Sequence, residues 1–196
     1  MTSAPARSGM AHGLEAPSAW VQRWSHLLRP GGTVLDVACG HGRHMQWFAT
    51  RGHPVTGVDR SAEAIAAVTS LGEAVQADIE NGPWPLLQDG QPRQFDAVVV
   101  TNYLWRDLLP VIQQSLAPGG VLLYETFAIG NETVGKPSRP DFLLQPGELL
   151  REFADLRVVA YEDGFIAQPA RFVQRIAAVK PDTPLSTDKA LARYML

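Results

Sequence analysis

Between Thr33 and Phe127 the chain alternates short apolar runs with helix-forming stretches, and that alternation sets the fold class. Five runs read as strands: Thr33 to Val37, Val55 to Val58 ending at Asp59, Glu73 to Ala77 ending at Asp78, Phe95 to Val100, and Val121 to Phe127. The first link is a glycine turn and a helix carrying Met45, Trp47 and Phe48. The second is a helix from Ala62 to Ser70, capped by Ser61. A Pro-, Gly- and Gln-rich loop spans Asn81 to Arg93, and a helix from Leu104 to Leu116 is disturbed by Pro110. Pro118-Gly-Gly120 then turns into the fifth strand. Strands joined by helices pair in parallel, with helices on both faces. Two last strands, Leu156 to Tyr161 and Arg171 to Val179, are separated only by the turn Glu162-Asp-Gly164 and a short loop, which suits an antiparallel hairpin. A short helix precedes them around Glu148 to Phe153. An opening helix, capped by Ser18, carries Trp20, Val21, Trp24, Leu27 and Leu28 on one stripe.

The length of 196 residues suits one domain. It is expected at 14–180, between a loose tail at 1–13 and a polar tail at 181–196 with a last turn at Lys189 to Tyr194. A net charge of −3 argues against a nucleic-acid partner, because phosphate binding needs clustered Lys and Arg. No apolar run reaches the roughly 20 residues of a membrane span. Residues 1–13 lack the apolar core of a signal peptide. The single cysteine, Cys39, permits no intrachain disulfide and fits a reducing cytoplasm; it reads as a small buried filler.

The segment Val34-Leu-Asp-Val-Ala-Cys-Gly-His-Gly42 runs from strand through a glycine turn into a helix, where backbone can approach a ligand. Asp36 lies near the end of the first strand, and Asp59 ends the second strand 23 residues later. A carboxylate at that place can accept both ribose hydroxyls of an adenosine ligand. Asp78, ending the third strand, is then placed to meet the adenine amino group. Both could instead serve only as local turn and cap residues.

In these residues the chain resembles the class I S-adenosylmethionine-dependent methyltransferases, of the small stand-alone bacterial type that includes the tellurite-resistance proteins. Asp36, Ala38, Cys39, Gly40 and Gly42 match the first motif, with Ala38 where glycine is usual. Asp59 matches the second and Asp78 with Ile79 the third. Phe95-Asp96 opens strand four, and Leu116-x-Pro-Gly-Gly120 precedes strand five. The motifs stand in order over roughly Trp20 to Lys180. The resemblance implies a Rossmann-like fold and S-adenosylmethionine as cofactor. It implies that Gly40 and Gly42 flank the methionine part and that Asp36 holds its ammonium. Asp59 and its neighbour Arg60 would lie at the ribose, Asp78 and Ile79 at the adenine, and Thr101 and Asn102 on the sulfonium side. Asp96 reads as structural.

The acceptor pocket is expected beyond the carboxyl ends of strands four and five, near Asn102, Tyr103, Trp105, Arg106, Glu125 and Thr126. Tyr103 and Trp105 could form an aromatic wall and Arg106 could hold an anion; Tyr103 and Arg106 are the candidate catalytic residues. The loop Ala128 to Gln145 could cover this pocket, with Asn131, Lys136 or Arg139 touching substrate. His41 and His44 are too few for a metal site, and none is expected; His41 would line the cofactor or substrate site. The acceptor is expected to be a small molecule. Two other readings remain: a nicotinamide-dependent oxidoreductase, opposed by Met45 where a third glycine belongs, and a non-catalytic S-adenosylmethionine-binding module.

Overall fold

The computed structural model describes residues 16–182 and 193–196. The expected tail at 1–13 and residues 189–192 of the expected last turn lie outside them, and residues 193–196 form no helix.

The chain enters through α1 (Ala19–Trp24), whose first turn is capped by Ser18 Oγ accepting from the N–H groups of Trp20 and Val21. There follow β1 (Val34–Val37), α2 (Arg43–Ala49), β2 (Val55–Asp59), α3 (Ala62–Val68) and β3 (Glu73–Gln76). The loop expected from Asn81 to Arg93 contains a small hairpin, β4 (Leu87–Gln88) and β5 (Gln91–Pro92), turned by Asp89-Gly90. Then come β6 (Phe95–Thr101), α4 (Leu109–Gln114), β7 (Leu116–Phe127), α5 (Glu148–Glu152), β8 (Arg157–Ala167) and β9 (Ala170–Val179).

Seven strands form one sheet in the order β3-β2-β1-β6-β7-β9-β8. The first five pair in parallel, and β9 runs antiparallel to both β7 and β8. This is the Rossmann-like sheet with an antiparallel end that the alternation implied.

Three local expectations are corrected. Glu162-Asp-Gly164 is not a turn: β8 continues through it, and the hairpin reverses at Gln168-Pro169 instead. Glu162 there pairs with Arg175, and Phe165 packs on Phe172 with ring centroids 4.9 Å apart. Cross-strand partners outweigh the turn propensity of the short polar run. Pro110 sits in the first turn of α4, where its missing N–H costs nothing, so the helix begins later than expected rather than bending. Pro118-Gly-Gly120 lies within β7 as an irregularity, with the Gly119 N–H donating to Lys180 O.

The alternation of β-strand side chains splits the core in two. Val34, Ala97, Val99, Val121 and Leu123 face α1, α2 and α3, with Trp20, Trp24, Met45 and Phe48. Leu35, Val37, Val98, Val100, Leu122 and Tyr124 face α4 and α5, with Ile112, Leu149 and Phe153. The Trp20 Nε1–H also donates to Ile176 O at 3.2 Å, so α1 is fastened to β9. By the same parity Asp36, Thr101 and Glu125 share the α1 face at the carboxyl ends of β1, β6 and β7. No described helix is long and apolar enough to cross a membrane.

Candidate functional site

After β1 the chain passes to β2 on one side, and after β6 it passes to β7 on the other. The crevice between the carboxyl ends of β1 and β6 is therefore the topological switch point, where doubly wound sheets bind ligands. The backbone is strained on both sides of it. Ala38 has φ +53° and Asn102 has φ +54°, left-handed conformations that cost a non-glycine residue about 1–2 kcal/mol.

A cleft opens here, lined by Ala38, Asp59, Arg60, Ala77, Asp78, Ile79, Glu80 and Tyr103. Five of the expected cofactor residues thus come together: Ala38, Asp59, Arg60, Asp78 and Ile79. Asp59 fixes the glycine turn by accepting from the Gly40 N–H at 2.9 Å, and it accepts from the Ser61 N–H at 2.8 Å. Asp78 accepts from the Glu80 and Asn81 N–H groups, which with the Asn81 side chain hold its carboxyl below the usual range. Gly42 has a packing role: a Cβ there would stand 2.4 Å from Val68 of α3. His41 is exposed and does not line the cleft.

Asp36 lies beneath the turn, 2% exposed. Its Oδ2 is buried and has no hydrogen-bond partner among the described residues. The nearest basic group is His44, with Nδ1 at 3.9 Å. His44 Nε2 accepts from the Ser18 N–H at 3.1 Å, which leaves the proton on Nδ1, toward Asp36. Burial, and then Arg43, push His44 down to about 3, so the ring is neutral and does not neutralise the carboxylate. Burial pushes Asp36 up to about 7, against the pull of Arg43. Ser18 continues the chain of contacts: its Oγ donates to Glu125 Oε1 at 3.1 Å. Glu125, 1% exposed, pairs with Arg175 at 3.1 Å and Arg171 at 3.6 Å. Thr101 Oγ1 accepts from Arg43 at 3.3 Å.

A second cavity adjoins the cleft, lined by Glu80, Asn102, Tyr103, Leu104, Thr126, Phe127, Pro137 and Phe142. Glu80 and Tyr103 belong to both. Pro137 and Phe142 come from the loop 128–145, which is well tied down. Asn131 is buried; its side chain donates to Pro137 O and accepts from the Phe172 N–H. Asn131 therefore builds the loop and does not face a substrate, contrary to expectation.

Arg106 is corrected likewise. Its guanidinium donates to Glu148 at 2.7 and 3.1 Å, to Asp141 O and to Leu143 O, so its fork is committed to the loop and α5. Trp105 packs against the core instead of lining the cavity. Arg139 is paired with Asp141 on the surface, and Lys136 is exposed. Asp96 is structural as expected, held by Arg29 and Thr33. Glu80, the shared wall of both hollows, was hidden in the sequence because Asp-Ile-Glu-Asn reads as a plain turn. No group of three or more potential metal ligands occurs among the described residues.

Residues 34–120 match a family model described as a methyltransferase domain. Over that stretch the chain is similar to methyltransferase domains. It is 36% identical over 104 residues to the ubiquinone biosynthesis O-methyltransferase of Xanthomonas campestris pv. campestris, covering 50% of this chain and 44% of that protein. The chain spans less than half the length of such curated relatives. Among solved structures, TehB from Haemophilus influenzae superposes with a TM-score of 0.64 at 22% identity, over 82% of this chain and 61% of that one. An S-adenosylmethionine-dependent methyltransferase from Mesorhizobium loti superposes with a TM-score of 0.61 at 17% identity, over 83% and 98%. At these identities the structures share the fold. S-adenosylmethionine is the cofactor of this domain type, and the residues at the switch point are chemically suited to it. Asp36 Oδ2 is a buried carboxylate oxygen lacking a donor among the described residues, which an ammonium could supply, and Asp59 lines the cleft.

Proposed function

We propose that this protein transfers a methyl group from S-adenosylmethionine to a small-molecule acceptor. The observation that carries this reading is the Asp36 carboxylate at the switch point, buried with one oxygen unpartnered. In this reading Asp36 takes the ammonium of the cofactor, Gly40 and Gly42 shape the turn beside it, and Thr101 and Asn102 stand on the sulfonium side. Asp59 and Arg60 flank the ribose, while Asp78, Ile79 and Ala38 flank the adenine. The cofactor brings an activated methyl group. The chain binds it, orients the acceptor and excludes water, and positioning of this kind supplies much of the rate. The name of the curated relative favours oxygen as the methylated atom. The lone, buried Cys39 fits a cytoplasmic location.

Thermal unfolding with S-adenosylhomocysteine or NADH tests the reading. A ligand at 100 times its Kd adds about 2.7 kcal/mol, or roughly 5–10 °C in Tm for a domain of this size. A shift with the adenosyl ligand, lost in Asp59→Ala, is expected. A shift with NADH alone would move the protein to hydride transfer.

A further inference from the structure

The second cavity has a composition that selects its occupant. Three aromatic rings line it, Tyr103, Phe127 and Phe142, together with Leu104, Pro137 and the uncharged polar Asn102 and Thr126. No Lys or Arg is among its described lining residues; Arg106 is committed to Glu148 and two carbonyls, and Arg60 lines the adjoining cleft. Among the described residues the only charged side chain on its wall is Glu80, at the border with the cofactor cleft. Beside Glu80 the Tyr103 hydroxyl is buried and makes no hydrogen bond with the described residues. Glu80 helps raise the Tyr103 pKa, behind burial as the main cause, through its charge and a side-chain contact that falls short of an ordinary hydrogen bond. The Tyr103 backbone is fixed by the Tyr124 hydroxyl, which donates to Tyr103 O at 3.0 Å, so the ring is a built wall.

A carboxylate and an unpartnered hydroxyl at one spot ask for a ligand atom that both donates and accepts. An aromatic hydroxyl does so: its O–H donates to Glu80 while its lone pair accepts from Tyr103. An aromatic ring N–H can donate but offers no lone pair in the ring plane. An oxyanion or carboxylate meets Glu80 with like charge and finds no Lys or Arg on the described wall of this cavity, Arg60 standing in the cofactor cleft beyond. We propose that this cavity binds a planar, uncharged molecule through an aromatic hydroxyl, held between Glu80 and Tyr103 at the border with the cofactor cleft. That this molecule is the methyl acceptor rests on the methyl-transfer reading; the binding chemistry does not.

The test is a binding titration of the full chain, saturated with S-adenosylhomocysteine, against 2-naphthol, 2-naphthoate and selenite, read by calorimetry and ligand-observed NMR. 2-Naphthol is expected to bind at least tenfold more tightly than 2-naphthoate, and selenite not to bind. Glu80→Gln and Tyr103→Phe should each weaken 2-naphthol about tenfold, the size expected for a hydrogen bond to a charged group. Glu80→Gln should also narrow the gap to 2-naphthoate. Equal or tighter binding of 2-naphthoate or selenite by the wild type overturns the proposal, as does unchanged 2-naphthol affinity in both variants. If Glu80→Gln does not fold, Tyr103→Phe, which removes one oxygen, decides. Binding of S-adenosylhomocysteine without 2-naphthol sinks this inference and leaves methyl transfer standing. The stated naphthol pattern without adenosyl binding does the reverse.

Discussion

The two flanks of the sheet's carboxyl end solve the problem of polar groups in opposite ways. On the α1 flank the charges are deep and tied to one another: His44 to Ser18, Ser18 to Glu125, and Glu125 to Arg175 and Arg171. On the loop flank the walls are largely aromatic, and the Tyr103 hydroxyl at the cavity is left without an ordinary hydrogen bond to the described residues. A closed network stiffens a fold but has little left for a ligand. It leaves Asp36 Oδ2 open, a carboxylate oxygen fit to grip a cation. The open flank gives up stability and keeps its chemistry for a partner that is not part of the chain.

Cutting the closed network should therefore cost most. Arg175→Ala strips Glu125 of its closest cation and removes the guanidinium 5.0 Å above the Trp20 ring. Denaturant unfolding should show a loss of about 3–5 kcal/mol, the usual result of leaving a buried charge short of its partner. Tyr103→Phe on the other flank should change stability by less than about 0.5 kcal/mol, and a similar loss there would erase the contrast. Arg106→Ala comes second, at about 2 kcal/mol, because it frees Glu148 and two loop carbonyls; the acceptor KM should rise while cofactor affinity stays level.

The third expected effect is on pH. The Asp36 carboxyl of the free protein is raised to about 7, so below that pH it carries a proton that an ammonium ligand must displace. Affinity for S-adenosylhomocysteine should then rise about tenfold from pH 6 to pH 8 and level off, and Asp36→Asn should flatten the curve. The sign for folding is opposite. A carboxyl raised in the folded state favours folding while protonated, so stability falls as pH rises from near 4 toward 7 in the ligand-free protein. Flat titration behaviour would show that Asp36 belongs to the closed network after all. The smallest effect is Ala38→Gly, which relieves a φ of +53° and should add about 1 kcal/mol to stability.

The order of strands and the glycine turn were legible because they depend on neighbours in sequence. Apolar runs, Ser18 and Ser61 caps and carboxylates at strand ends all report locally. The same logic misled at Glu162-Asp-Gly164, where partners on β9 outweigh a local turn preference. Arg106 was misread for a related reason: its partners lie 35 to 42 residues away, and nothing beside it in sequence reveals them. The Ser18–Glu125 contact spans 107 residues, so the polar network on the α1 flank could not be read at all. Of the cleft, Ala38, Asp59, Arg60, Asp78 and Ile79 were expected, and the second cavity only in outline. Glu80 looked like part of a turn, and Pro137 and Phe142 reach the cavity only through the folded loop.

The fastening of α1 also bears on how the chain is made. Ser18 and Trp20 leave the ribosome early, yet they bind Glu125 and Ile176, and Ile176 lies in the last strand of the sheet. The first helix must therefore wait for the last strand before it can seat. Until then His44 lacks the Ser18 N–H, and the chamber around Asp36 stands open. The cofactor end of the site is closed only once β9 is made, by a helix made long before it, and a chain cut short before β9 would carry every glycine and acid of the motif with that wall missing.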